Sequence, residues 1–156
     1  MCGIVGYLGD EQAFGILING LKKLEYRGYD SAGIMLYNKN ATIKKSKGKV
    51  SELEALFKNS QDKLGNIGIG HTRWATHGAP NQINSHPHIS NSGKLSLVHN
   101  GIIENYDALK KVLINKGYVF ISDTDSEVLV NLIEEIQKTN DVKLGKAVRL
   151  ALKEVV

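Results

Sequence analysis

Residues 32–47 constrain the fold most. Two runs with strand composition, Ala32 to Tyr37 and Thr42 to Lys47, are separated by little more than the turn residues Asn38-Lys39-Asn40. So short a connection joins strands only as an antiparallel hairpin, because a parallel crossover needs a dozen residues or more. Antiparallel sheet is therefore the default for the other short strands as well. Helical periodicity elsewhere in the chain predicts helices long enough to cover a sheet face. The expected class is α+β, in layers.

The remaining elements follow from pattern and punctuation. Cys2 to Leu8 is short and apolar and predicts a buried strand. Asp10 stands where a cap would open a helix of about fifteen residues, with Ile16, Leu17, Gly20, Leu21 and Leu24 at helical spacing. Tyr26 to Asp30 ends it with turn chemistry. Ser51 and Glu54 form a capping box ahead of a short helix through Leu53, Leu56 and Phe57. Asn66 to His71 is a Gly-rich strand, which predicts the close approach of another backbone or a ligand. From Thr72 to Gly93 there is no clear period. A stretch of roughly twenty such residues inside a compact domain is usually functional. Arg73, Trp74, three histidines and both prolines fall there, so an ordered binding loop is expected.

Leu95 to His99 is the next strand, ending at Asn100-Gly101. Asn105 is placed to cap a helix with Leu109, Val112 and Leu113 inward, closed by Gly117. Tyr118 to Ile121 predicts a strand. Thr124 and Glu127 make a second capping box, opening a helix that turns Val128, Leu132 and Ile136 inward. The last helix aligns Leu144, Ala147, Val148, Ala151, Leu152 and Val155. It runs into the C-terminus with no stop signal, as expected of a fragment cut before its next strand.

Composition narrows the function classes. The chain has 156 residues and 42% apolar content, enough for a folded domain with a core. No apolar run approaches the ~20 residues of a membrane span, and the N-terminus is not a signal peptide. One cysteine forms no internal disulfide, which fits a reducing cytoplasm. The net charge of +4 is scattered, apart from Lys44, Lys45, Lys47 and Lys49. These alternate along a strand without interleaved aromatics, so a solvated face is expected rather than a nucleic-acid surface.

That cysteine is Cys2, directly after Met1. Trimming of the methionine would give one residue both a thiol and a free α-amine. The thiolate is the nucleophilic form, and an α-amine titrates near pH 7.7–8.0, close enough to neutrality to serve as the base. The alternative is a frayed end. Asn100-Gly101 is either a tight turn or an oxyanion hole, built from a side-chain N–H and a backbone N–H. Arg73 is either a surface cation or a two-pronged grip on a carboxylate, and Trp74 either a core residue or part of a site. Asp125 falls at the first turn of a helix, where the dipole stabilises it; the functional reading is an acceptor for a substrate ammonium. His77, His86 and His88 lack the further ligands a metal site needs, so no metal is expected. The glycine spacing at 65–70 is wrong for a dinucleotide loop.

Five blocks then occur in order: Met-Cys-Gly-Ile-Val-Gly at 1–6, Tyr-Arg-Gly-Tyr-Asp-Ser-Ala-Gly at 26–33, Gly-His-Thr-Arg-Trp-Ala-Thr-His-Gly at 70–78, His-Asn-Gly-Ile-Ile-Glu-Asn at 99–105 and Thr-Asp-Ser-Glu at 124–127. Together they resemble the glutaminase domain of the class II glutamine amidotransferases, in particular the glutamine–fructose-6-phosphate aminotransferase (glucosamine-6-phosphate synthase) family. Tyr29, the run Arg73-Trp74-Ala75 and His-Pro-His at 86–88 set the chain apart from the amidophosphoribosyltransferases, the nearest rival.

The resemblance implies the N-terminal-nucleophile hydrolase fold, an α/β/β/α sandwich of antiparallel sheets. It also implies that 1–156 is a type-2 glutamine amidotransferase domain lacking its last strands, with the sugar-isomerase domains absent. Cys2 would attack the amide of L-glutamine, with Asn100 and Gly101 holding the oxyanion. Arg73 would take the α-carboxylate and Asp125 the α-ammonium. Trp74, Thr76 and His77 would line the pocket. No cofactor, metal, membrane or nucleic acid is implied, and the full-length enzyme would be cytoplasmic and homo-oligomeric. Two readings compete with this one. One is a silent fragment acting only as an interaction module. The other is a papain-like Cys–His hydrolase using His77 or His99.

Overall fold

The computed structural model describes residues 2–74 and 81–156. Two compact units divide the chain between Pro87 and His88.

The first unit is built on a four-stranded antiparallel sheet of order β1-β4-β2-β3. β1 is Gly3–Leu8, β2 Ser31–Asn38, β3 Asn40–Lys47 and β4 Ile67–Arg73. The predicted hairpin is β2–β3, in register from Ser31↔Lys47 to Asn38↔Asn40. Lys39 turns it at a φ of 61°. Helix α1, Ala13–Leu24, and helix α2, Val50–Ala55, bury the core: Leu17, Ile18, Leu21, Ile34, Leu36, Leu53 and Phe57. The groups closest to the Gly-rich strand are mainly side chains, those of α1 among them, with the Met35 carbonyl of β2 also beside Gly68. A β-carbon on Gly68 would come within 2.7 Å of Leu17, and one on Gly70 within 3.0 Å of Leu21.

Several sequence expectations are corrected in this unit. β1 lies at the sheet edge and alternates in burial, with Ile4 and Leu8 exposed; it is not buried on both faces. α1 has 12 residues and starts after Gln12 rather than at Asp10. The chain before it is folded back on residues 65 and 66 by Gly9 N–H to Asn66 O, Ala13 N–H to Gly65 O and Gly65 N–H to Gln12 Oε1, so the helix cannot begin earlier. The box at Ser51 and Glu54 does not form. Lys49 is the N-cap residue and makes no side-chain cap bond. The Val50 N–H is instead taken by the Glu25 carboxylate at 2.8 Å. Lys44 is not simply solvated, since it pairs with Asp62 and lies over the Phe57 ring.

The second unit has a two-stranded sheet, β5 His88–Ile89 and β6 Ser96–Leu97, and three helices: α3 Tyr106–Asn115, α4 Asp125–Asn140 and α5 Leu144–Glu154. Ile103, Leu113, Val128, Leu129, Leu132, Ile133, Ala147 and Ala151 form its core. Val112 is exposed, so the inward face of α3 is narrower than its sequence pattern. β6 is shorter than the strand expected over 95–99.

The strand expected at 118–121 is absent, because side chains replace a ladder there. Val119 donates to Asn91 Oδ1 and accepts from Asn91 Nδ2, while Ile121 and Ser122 donate to the Glu127 carboxylate. Asn105 holds the N-cap position of α3 without a cap bond. Its amide bonds Glu154 O and Val156 N–H instead. Thr124 does cap α4, accepting from Glu127 N–H. Among the described residues no helix is long and apolar enough to cross a membrane.

Candidate active site

In the first unit, the pairing of β1 with β4 sets Gly3 opposite Thr72. This brings Cys2, just before β1, to Trp74, just after β4. The Trp74 N–H donates to Cys2 Sγ at 3.2 Å, and the thiol lies 3.6 Å from the Trp74 carbonyl. Arg73, the last residue of β4, is 4% exposed. Its carbonyl accepts the Asp30 N–H at 2.7 Å, and it pairs across β2 with Ser31, whose hydroxyl donates to Asp30 Oδ1. The buried Arg73 thus lies one residue from the amide that binds the Cys2 sulfur.

The Trp74 side chain is 52% exposed and is not a core residue. Its ring lies against Gly28, where a β-carbon would stand 2.6 Å from it. Gly28 has φ 81° and ψ 146°, a conformation that belongs to glycine. The Tyr-Arg-Gly-Tyr block therefore includes the seat of the indole.

In the second unit, Asn100 and Gly101 follow β6 in an exposed turn and lead into the buried Ile103. Asp125 opens α4 and is 4% exposed. Its Oδ2 accepts the Ile103 N–H at 2.8 Å, and Ser126 Oγ lies 3.4 Å from its Oδ1. The structural role expected at a helix N-terminus is therefore present, with a named partner. The carboxylate also ties the turn that bears Asn100 and Gly101 to α4. His99, whose Nδ1 lies 3.1 Å from Ser126 Oγ, adds a second tie.

Sequence reasoning missed a buried chain behind Asp125: Glu127, Ser122, Thr124 and His88, linked by Ser122 Oγ to Glu127 at 2.5 Å, Ser122 Oγ to Thr124 Oγ1 at 2.9 Å and Thr124 Oγ1 to His88 Nε2 at 2.9 Å. The density of hydroxyl and carboxylate residues at 122–127 was its only signal. His86 stacks on His71 with ring centroids 4.3 Å apart, whereas His88 bonds Thr124, so the two histidines of the His-Pro-His run are engaged differently. Thr76 and His77 lie outside the described residues.

The geometry sets a thiol at residue 2 against the end of β4, and ties the chain just after an Asn-Gly turn, at Ile103, to a buried helix-opening carboxylate. Residues 54–144 match the family described as Glutamine amidotransferase domain. The chain belongs to this family. Among curated amidotransferase relatives, it is 61% identical to the glutamine–fructose-6-phosphate aminotransferase (isomerizing) of Bacteroides thetaiotaomicron over 100% of its length. It is 57% identical to that of Chlorobaculum tepidum over 99% of its length. It covers 26% of each, so it spans about a quarter of the length of these relatives.

Two solved structures match 99% of the chain at 30% identity, and the match spans 33% of each of their chains. One is the glutamine phosphoribosylpyrophosphate amidotransferase of B. subtilis, complexed with ADP and GMP, at a TM-score of 0.80. The other is an allosteric regulatory enzyme of purine biosynthesis, at 0.81. The α+β class and the N-terminal-nucleophile amidotransferase fold expected from the sequence are those of this chain.

Proposed function

We propose that this domain hydrolyses the side-chain amide of L-glutamine to glutamate and ammonia. The observation that supports this most is the placement of Cys2. With Met1 removed it is the terminal residue, and its sulfur is bonded to the Trp74 N–H beside the buried Arg73. The α-amine of Cys2 takes the thiol proton as sulfur attacks the amide carbon. The Asn100 side-chain N–H and the Gly101 backbone N–H hold the oxyanion. The C–N bond breaks, the amine returns the proton to departing ammonia, and water cleaves the thioester. Arg73 binds the α-carboxylate of glutamine and Asp125 its α-ammonium, the fixed cation and anion that a zwitterion requires. Trp74, Thr76 and His77 line the pocket.

Within a longer, cytoplasmic and homo-oligomeric enzyme, residues 1–156 act as the glutaminase domain. The ammonia passes to a sugar-isomerase domain and converts fructose 6-phosphate to glucosamine 6-phosphate. The 61% identity to an aminotransferase, against 30% to a phosphoribosylpyrophosphate amidotransferase, supports a fructose 6-phosphate acceptor over a phosphoribosyl one. No cofactor, metal, nucleic acid or membrane enters this scheme. Glutamate release by the chain lacking Met1 tests it. Cys2→Ala abolishes turnover on this reading, and an unchanged rate in Cys2→Ala would refute it.

A further inference from the structure

Removal of Met1 leaves Cys2 with one covalent neighbour. The plane of the Cys2–Gly3 peptide then sets the position of both reacting groups, the thiol and the α-amine. The N–H of that peptide donates to Thr72 Oγ1 at 3.1 Å. Thr72 is fully buried, at 0% exposure, and faces Gly3 directly across the β1–β4 ladder. Gly3 closes the arrangement from the other side. A β-carbon there would come within 2.9 Å of Thr72 Oγ1 and 2.7 Å of Leu24 Cδ1, so the glycine lets the hydroxyl reach the amide. Two residues further along the same chain, the Trp74 N–H holds the sulfur. One strand end thus grips Cys2 twice, at its peptide and at its thiol.

We infer that Thr72 is a positioning residue for glutamine hydrolysis: its hydroxyl fixes the Cys2–Gly3 peptide and so aims thiol and amine together at the substrate. This rests on Cys2 being the nucleophile. Thr72 touches neither substrate nor reacting atoms; it acts through Gly3. Thr72→Val keeps the shape and removes the acceptor, leaving the Gly3 amide buried without its bond. Thr72→Ser keeps the acceptor.

The test measures kcat and KM for glutamine in the chain lacking Met1, in wild type, Thr72→Val and Thr72→Ser. Intact mass after iodoacetamide treatment, with and without glutamine, is read alongside. Because a misplacement of about 1 Å costs roughly a hundredfold in rate, Thr72→Val is expected to lower kcat about 10–100-fold. KM stays within about threefold, because the substrate contacts are untouched, and Thr72→Ser recovers kcat to within about threefold of wild type. A wild-type kcat in Thr72→Val overturns the inference while leaving the nucleophile reading intact. A loss of rate that serine does not restore also overturns it. If Thr72→Val fails to fold, Thr72→Ala is measured in its place; failure of both makes Thr72 a folding residue and refutes the positioning role. A wild-type chain that neither hydrolyses glutamine nor is protected by glutamine from alkylation at Cys2 refutes the nucleophile reading itself, and the role of Thr72 falls with it.

Discussion

The indole of Trp74 rests on the α-carbon of Gly28, 46 residues earlier in the chain, leaving no room for a β-carbon between them. The residue that binds the Cys2 sulfur through its backbone thus has its side chain seated on a turn that only glycine builds without strain.

Gly28→Ala should therefore act on the site as well as on stability. A side chain at φ 81° and ψ 146° costs on the order of 1–3 kcal/mol, and the indole must move as well. Expected results are a lower melting temperature and a red-shifted emission from the chain's one tryptophan. Glutaminase activity should fall by more than the unfolded fraction explains. Thermal denaturation followed by fluorescence checks this; an unshifted spectrum in the folded variant contradicts it.

Asp125 combines a structural bond with a charge, and two substitutions separate them. Asp125→Asn retains an oxygen for the Ile103 N–H but loses the negative charge. It should keep stability within about 1 kcal/mol while KM for glutamine rises at least tenfold, consistent with loss of one charge-assisted contact of about 1.5–3 kcal/mol. Asp125→Ala should lose both, with a further 1–3 kcal/mol of stability gone as the Ile103 amide is orphaned (about the cost of an unsatisfied buried group). Urea titration with steady-state kinetics distinguishes the two outcomes.

Glu25 replaces the capping box that the sequence suggests for α2. Glu25→Ala should destabilise the fold by about 1 kcal/mol, as loss of a helix cap does. Ser51→Ala should be nearly neutral, since Ser51 makes no cap bond. The reverse ranking in urea denaturation would restore Ser51 as the cap.

Glu135 gives acid sensitivity of defined sign. The Lys116 ammonium, bonded at 2.6 Å, is the main influence holding its carboxyl below the usual 4.5. Burial opposes this, while Thr139 and Tyr118 add further donors. A depressed folded-state value means the stabilisation is present above about pH 4.5 and is lost as pH falls through the folded-state value. Lys116 is 47% exposed, so the pair contributes only about 0.5 kcal/mol. Lys116→Met should therefore flatten the acid limb of a melting-temperature profile between pH 6 and 3. A limb as steep as that of wild type would rule the pair out.

The sheet of the first unit was legible because its signals are local: a hairpin turn, a Gly-rich strand and an amphipathic helix. Cys2 and Trp74 were legible as residues, but their contact depends on the β1–β4 register over about seventy positions, which no local pattern encodes. Three of the errors share one cause. At Ser51, at Asn105 and at 118–121, the sequence offers a locally satisfied backbone. The fold satisfies it instead with a distant side chain, Glu25 for α2 and Asn91 for Val119, and it sends Asn105 to the C-terminal residues. Local propensity cannot see such partners. Thr72 was overlooked for the same reason, because its importance lies in facing Gly3.

The most direct test of the account is the intact mass of the chain after incubation with a diazoketone analogue of glutamine. The predicted result is a single adduct, on Cys2 of molecules lacking Met1, suppressed by excess glutamine and absent from Cys2→Ala. An unmodified mass on the trimmed chain, or an adduct that glutamine does not suppress, would contradict the assignment of Cys2 as a glutamine-directed nucleophile.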